Sequence, residues 1–145
     1  MPPETLSFEI TRLFSAPRAR VFEFFTDGTQ LARWWGPRGF SIPNLDFDAR
    51  VGATYGIQMQ PPDGDVFQLT GSFRCVDAPC SLALTFTWEP ADPDDQETLA
   101  EISFRVIDDG TEVHVRQGPF MTEARRELHR AGWTDSLDKL GELVP

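Results

Sequence analysis

A chain of 145 residues is the size of one domain, and 40% apolar residues, with twelve Phe and four Trp, can furnish a sizeable core. Its net charge of −10 has the wrong sign for nucleic acid or an anionic membrane, which need clustered Lys and Arg. Arg125, Arg126 and Arg130 gather somewhat, but Glu123 and Glu127 sit among them. The expectation is a single domain over residues 1–145 that binds neither.

The N-terminus, Met1-Pro2-Pro3-Glu4, lacks the basic and apolar regions of a secretory signal, and no apolar run is long enough to cross a membrane. A cytoplasmic chain is expected. Cys75 and Cys80 flank a turn at Val76-Asp77-Ala78-Pro79, where they can face each other across a hairpin, and that compartment keeps them reduced. Their spacing matches no redox or zinc motif and no second Cys/His pair completes a metal site, so neither metal nor cofactor is expected.

In chain order, Thr5 to Phe14 alternates through Leu6, Phe8 and Ile10 and predicts a first strand. Ser15-Ala16-Pro17 predicts a helix start, with Ser15 as N-cap and Pro17 in the first turn. Val21, Phe22, Phe24 and Phe25 give that short helix a broad apolar face, and Asp27-Gly28 ends it. A second short helix is predicted from Leu31 to Trp35, stopped by Gly36-Pro37. Strands follow: one through Phe40, Ile42, Leu45 and Phe47, interrupted near Pro43; then Tyr55, Ile57 and Met59; then Phe67, Leu69, Gly71 and Phe73 after the Pro61-Pro62-Asp63-Gly64 turn. Leu82 to Trp88 alternates, Pro90 to Asp95 is an acidic loop, and Ala100 to Val106 and Val113 to Val115 flank the turn at Asp108-Asp109-Gly110. About seven hairpin-linked strands predict an antiparallel sheet.

The tail from Phe120 to Val144 reads as one long amphipathic helix of about 35 Å. Thr122 can cap it and Glu123 puts a negative charge in its first turn. The apolar positions Met121, Ala124, Leu128 and Ala131, then Trp133, Leu137, Leu140 and Val144, imply a stripe that rotates between the two halves. Asp135 and Lys139 are spaced for an i,i+4 pair. Gly132 costs about 1 kcal/mol relative to Ala, so it signals either close packing or room for a ligand. The order of elements is an α+β layer architecture in which the one long helix covers the sheet.

A series of local features then resembles a known family: Phe14-Ser15-Ala16-Pro17 through Val21-Phe22, Trp34-Trp35-Gly36-Pro37, Asp48-Ala49-Arg50-Val51-Gly52-Ala53-Thr54-Tyr55, the Asp63-Gly64 turn, Gly71-Ser72-Phe73, Leu84-Thr85-Phe86-Thr87-Trp88, Gly110-Thr111-Glu112-Val113 and Gly132-Trp133. In this order they resemble the START-like (SRPBCC, helix-grip) superfamily, within it the group named after the activator of the heat-shock protein 90 ATPase. The resemblance implies a curved antiparallel sheet of six to seven strands wrapped around the C-terminal helix, two short helices after the first strand, and a hydrophobic pocket between helix and sheet. Members of the wider superfamily bind lipids, sterols, polyketides or plant hormones, and some are aromatases or cyclases. Two positions depart from the family pattern. Gln117 stands where members often have His, which removes a possible proton-transfer group, and Gly52-Ala53 stands where they have Gly-Gly.

The aromatic content is the main chemical asset, because ligand pockets are apolar with a few polar groups. The expected ligand-binding residues are Trp35, Phe47, Tyr55, Phe67, Phe73, Phe86, Trp88, Phe104, Phe120 and Leu128, with Gln117 and the Tyr55 hydroxyl as polar groups. Trp34-Trp35 is either a gate at the mouth or a plug that seals the core. His114 is expected on the outer strand face and His129 on the solvent side of the helix; no nucleophile elbow or phosphate loop appears, and no catalytic set is expected. Asp48 and Arg50 are placed for a structural ion pair. Three functions fit: a binder of a small apolar or amphipathic molecule; a cyclase- or aromatase-like enzyme with a deep polar cluster from Tyr55, Gln117 or Arg116; or an interaction module for a chaperone, which needs a large exposed apolar patch.

Overall fold

The computed structural model describes residues 6–144; the expectations for Met1-Pro2-Pro3-Glu4 and for Thr5 fall outside them. Among the described residues, strands β1 (Phe8–Phe14), β2 (Leu45–Asp46), β3 (Thr54–Met59), β4 (Phe67–Asp77), β5 (Ser81–Glu89), β6 (Thr98–Ile107) and β7 (Gly110–Gly118) form one sheet. Helices α1 (Arg18–Thr26) and α2 (Gly28–Leu31) follow β1, and α3 (Glu123–Leu143) closes the chain. The strand order is β1-β7-β6-β5-β4-β3-β2 and every pairing is antiparallel. This is the helix-grip architecture.

Local chemistry moves several boundaries from their sequence expectation. Pro17, not Ser15, is the N-cap of α1. Its backbone is extended (φ −61°, ψ 150°) and its carbonyl accepts from Arg20 N and Val21 N at 3.0 and 3.1 Å. Asp27 ends α1 and starts α2, because its carboxylate accepts from Thr29 N and Gln30 N. The second helix is therefore Gly28–Leu31, and the Leu31–Trp35 stretch is only a turn in which Trp34 N and Trp35 N share the Leu31 carbonyl. The strand expected from Phe40 to Phe47 shrinks to β2 and an isolated bridge from Ser41 to Gln60, since Pro43 has no N–H to offer a ladder.

Alternation holds in the main strands. Tyr55, Ile57 and Met59 on β3, Leu82, Leu84 and Phe86 on β5, and Val113 and Val115 on β7 all point into the core. His114 lies on the opposite face of β7, where Nε2 is 2.8 Å from Glu9 Oε1. Cys80 sits in the turn between β4 and β5, and Cys75 stands opposite Ala83, so the two free thiols do not face each other. Arg50 and Asp48 pair at 2.7 Å on the surface.

Gly71 on β4 marks the tightest approach in the sheet. A Cβ there would lie 1.9 Å from the Thr85 carbonyl oxygen and 2.8 Å from the Tyr55 ring. Close by, the register of β4 against β5 slips between Phe73 and Cys75. Such irregularities bend strands.

Helix α3 is capped as its sequence suggests: the Thr122 hydroxyl accepts from Arg125 N at 3.1 Å. The helix packs against the β1 edge, where Arg12 pairs with Asp138 and Phe14 passes beneath Gly141, and its first half reaches β7 and β5 through Trp133 on Gln117 and Phe86 and His129 on Trp88. The segment Trp35–Phe40 that follows α2 adds a second cover, with Trp35 beside Phe86, Gly36 near Met59 and Phe40 on Phe67. Ser136 Oγ accepts from Gly36 N at 3.0 Å, Asp135 Oδ2 accepts from Arg38 N at 3.2 Å, and Lys139 Nζ donates to the Trp35 carbonyl at 3.4 Å. Asp135 and Lys139 thus serve this segment, not the i,i+4 pair their spacing suggests.

Candidate functional site

A cleft of about 400 Å³ lies between α3 and the β3–β5 half of the sheet. Phe40, Phe67, Trp88, Phe86, Trp133 and Trp35 form a connected aromatic wall. Neighbouring ring centroids are 6.2 Å apart for Phe40 and Phe67, 5.5 Å for Phe67 and Trp88, 6.4 Å for Phe86 and Trp133, and 5.3 Å for Trp35 and Trp133. The edge-to-face geometry of Trp35 on Trp133, at 78°, suits the ring quadrupoles and holds the wall rigid. Met59, Pro37 and Gly132 complete the apolar lining. A Cβ at Gly132 would meet only Pro37 Cγ, at 4.0 Å. This glycine opens space in the cleft and does not serve close packing against a strand.

Of the residues expected from sequence, Trp35, Phe67, Phe86, Trp88 and Leu128 line this cleft. Leu128 does so from the rim, 57% exposed. Phe47, Tyr55, Phe73, Phe104, Phe120 and Gln117 lie elsewhere in the interior. Phe47, Tyr55 and Phe73 pack on one another at the β2 end. Phe104 packs under Phe22 and Phe25 of α1, and Phe120 stacks on Phe8. Tyr55 donates to the Thr85 carbonyl at 2.5 Å, and burial pushes its phenol pKa far up. Gln117, 0% exposed, accepts from Trp133 Nε1 at 2.7 Å and donates to Thr98 Oγ1 at 2.9 Å. Arg116 pairs with Glu101 on the far face of the sheet. The deep polar cluster that the enzyme reading assembles from Tyr55, Gln117 and Arg116 is therefore not in the cleft.

The tandem tryptophans divide their roles. Trp34 is a plug: it is 0% exposed and donates from Nε1 to the Phe24 carbonyl at 3.0 Å. Trp35 is wall.

His129 corrects the expectation of a solvent-facing side chain. It is buried, 9% exposed, with its ring 4.8 Å from Phe120 and 5.5 Å from Trp88. The stripe on α3 does not rotate. It runs through Arg125, His129, Trp133, Leu137, Leu140 and Val144 at steps of three and four, with Ser136 beside Leu137, and its first turns are polar. His129 Nε2 accepts from Trp88 Nε1 at 2.8 Å, and Nδ1 is 2.8 Å from the Arg125 carbonyl. An acceptor at Nε2 requires a neutral ring with its proton on Nδ1. Burial pulls its pKa below 6.5 in the same sense.

The rim is acidic. Arg125, with a side chain 13% exposed, is held between three carboxylates of the β5–β6 loop: Asp92, Asp94 at 3.1 Å and Asp95 at 3.1 Å. Burial opposes the Arg125 charge, but these partners outweigh it and hold its pKa up; the guanidinium in turn lowers that of Asp94. Asp94 also accepts from the Thr122 hydroxyl at 3.1 Å. The loop is thereby fastened to the start of α3, with Asp92 and Asp95 facing the cleft. The acidic loop is visible in the sequence, but Arg125 is not visible there as its partner, because the two meet only through the fold.

The large exposed apolar side chains, among them Leu13, Val51, Val106 and Leu128, lie on separate elements. Among the described residues no group of three or more His, Cys, Asp or Glu is placed to hold a metal, and no helix is long and apolar enough to cross a membrane.

Residues 15–145 match the family described as activator of Hsp90 ATPase homolog 1-like protein. The chain belongs to that family. The family's fold is a ligand-binding one. A protein from Chromobacterium violaceum has a crystal structure that superposes with a TM-score of 0.89 at 26% identity, over 97% of this chain and 97% of that one. The AHSA1 protein from Silicibacter pomeroyi gives 0.83 at 25% identity, over 94% and 95%. A protein from Nitrosomonas europaea gives 0.80 at 25%, over 95% and 93%. No curated protein matches.

Proposed function

We propose that the chain binds a small apolar or amphipathic molecule in the cleft between α3 and the β3–β5 half of the sheet. The observation that carries this reading is the connected wall from Phe40 to Trp35 around a space of about 400 Å³. Ligand pockets usually measure roughly 300–1,000 Å³ and are lined by apolar and aromatic groups with a few polar ones. Trp35, Phe67, Phe86, Trp88 and Leu128 contact the ligand in this reading, joined by Phe40, Met59 and Trp133. Gly132 supports it, since a glycine in mid-helix is unfavourable and here yields open volume in place of a contact.

The test is a fluorescence titration with the neutral probe N-phenyl-1-naphthylamine. The unmodified protein gives saturable enhancement. Gly132→Leu, which projects a side chain into the cleft, weakens binding about tenfold or more while the protein stays folded. No saturable signal, or equal affinity in a folded variant, contradicts the reading.

A further inference from the structure

We infer that the preferred occupant of this cleft is an organic cation, an apolar body bearing an amine or quaternary ammonium group. The inference rests on the cleft being a binding site at all. Its first ground is the wall itself: six aromatic side chains face one space, and the negative face of an aromatic ring attracts a desolvated cation. The second ground is the rim. Three carboxylates surround the single guanidinium of Arg125, which leaves two negative charges uncompensated at the mouth, and Asp92 and Asp95 turn toward the cleft.

The third ground is how little the cleft offers an anion. Among the described residues, the charged cation lining the cleft is Arg125, whose Nε donates to Asp94 and whose Nη2 donates to Asp92 and Asp95. His129 is the neutral tautomer with both nitrogens engaged. Outside the lining of the cleft, Arg38 pairs with Glu142, and Lys139 donates to the Trp35 carbonyl. A fatty carboxylate entering here would meet Asp92 and Asp95 beside a guanidinium already paired with three carboxylates. The net charge of −10 adds a long-range field of the same sign, which concentrates cations at the mouth.

The experiment displaces N-phenyl-1-naphthylamine with three probes that share one apolar chain: decyltrimethylammonium, 1-decanol and decanoate, each below its aggregation limit. Decyltrimethylammonium is expected to displace the probe at a concentration about tenfold lower than 1-decanol, with decanoate weakest. Asp92→Asn, at an exposed carboxylate whose loss does not threaten the core, narrows the gap between cation and alcohol. In a second measurement on the unmodified protein, about 0.5 M NaCl narrows the same gap by screening. Equal displacement by cation and alcohol, or a best result with decanoate, overturns the inference while the binding site stands. A folded Asp92→Asn variant with an unaltered gap also counts against it. If the naphthylamine itself shows no saturable binding, the failure belongs to the site and not to its charge preference.

Discussion

Trp88 Nε1 donates to His129 Nε2 at 2.8 Å, so a strand residue and a helix residue are joined by a bond that exists only while the imidazole is neutral. Protonating Nε2 replaces an acceptor with a donor and sets two N–H groups against each other. Burial lowers the folded pKa of His129 below 6.5, with the Arg125 charge acting in the same direction and Asp95 against it. In the unfolded chain the ring takes up its proton first as pH falls. The contribution of neutral His129 to stability is therefore fully present above about pH 6.5 and is lost as pH drops through the window beneath it. Urea midpoints measured between about pH 7 and 5 should fall in the unmodified protein and change less in His129→Gln. The depressed pKa of Asp94 places its own loss at more acidic pH, below the ordinary carboxylate value of 3.8.

Arg125 fastens the β5–β6 loop to α3. Arg125→Met keeps the stem but leaves Asp95, whose side chain is 7% exposed, without its counter-charge. The expected cost is about 2 kcal/mol in chemical denaturation, below that of breaking a fully buried pair because Asp92 and Asp94 remain partly solvated. Hydrogen exchange should rise at residues 90–97 before it rises in β5 or β6. Unchanged protection there would show that the loop is held by something other than the guanidinium.

Much of the architecture could be read along the chain because the strand and helix periods are clean. Tyr55-Ile57-Met59 and Leu82-Leu84-Phe86 alternate without error, and each buries its apolar set. Errors gathered where one backbone group or one polar side chain decides: the Pro17 carbonyl that starts α1, and the Asp27 carboxylate shared between two helices. Alternation says which aromatic residues turn inward, but inward positions divide between filled core and cleft. Phe104 is sealed by α1 and Phe86 is left open, a difference set by where α3 lies and not by either strand. His129 was hidden because a neutral buried histidine and a charged surface one look alike in sequence.

Gly132→Ala should raise stability by about 1 kcal/mol or somewhat less, since the added methyl meets only Pro37 Cγ at 4.0 Å and the helix gains propensity. Thermal melting checks this directly. A destabilised variant would mean that the glycine is needed for backbone packing, and the cleft would lose one of its supports.

Gly71→Ala should have the opposite effect, costing about 3 kcal/mol or preventing folding, because its methyl would lie 1.9 Å from the Thr85 carbonyl oxygen. Relief requires β4 to separate from β5 where the sheet bends, and the Tyr55–Thr85 hydrogen bond shares that point. A mild effect in urea denaturation would show that the sheet can relax there.

The most direct test of the binding cleft uses the four tryptophans as reporters, one indole N–H resonance each. Trp35, Trp88 and Trp133 line the cleft, while Trp34 is sealed against the Phe24 carbonyl. On titration with N-phenyl-1-naphthylamine, nitrogen-15 correlation spectra should show the first three indole signals moving to saturation together while that of Trp34 stays in place. Static signals from Trp35, Trp88 and Trp133 at saturating probe, or a shift confined to Trp34, would contradict the account.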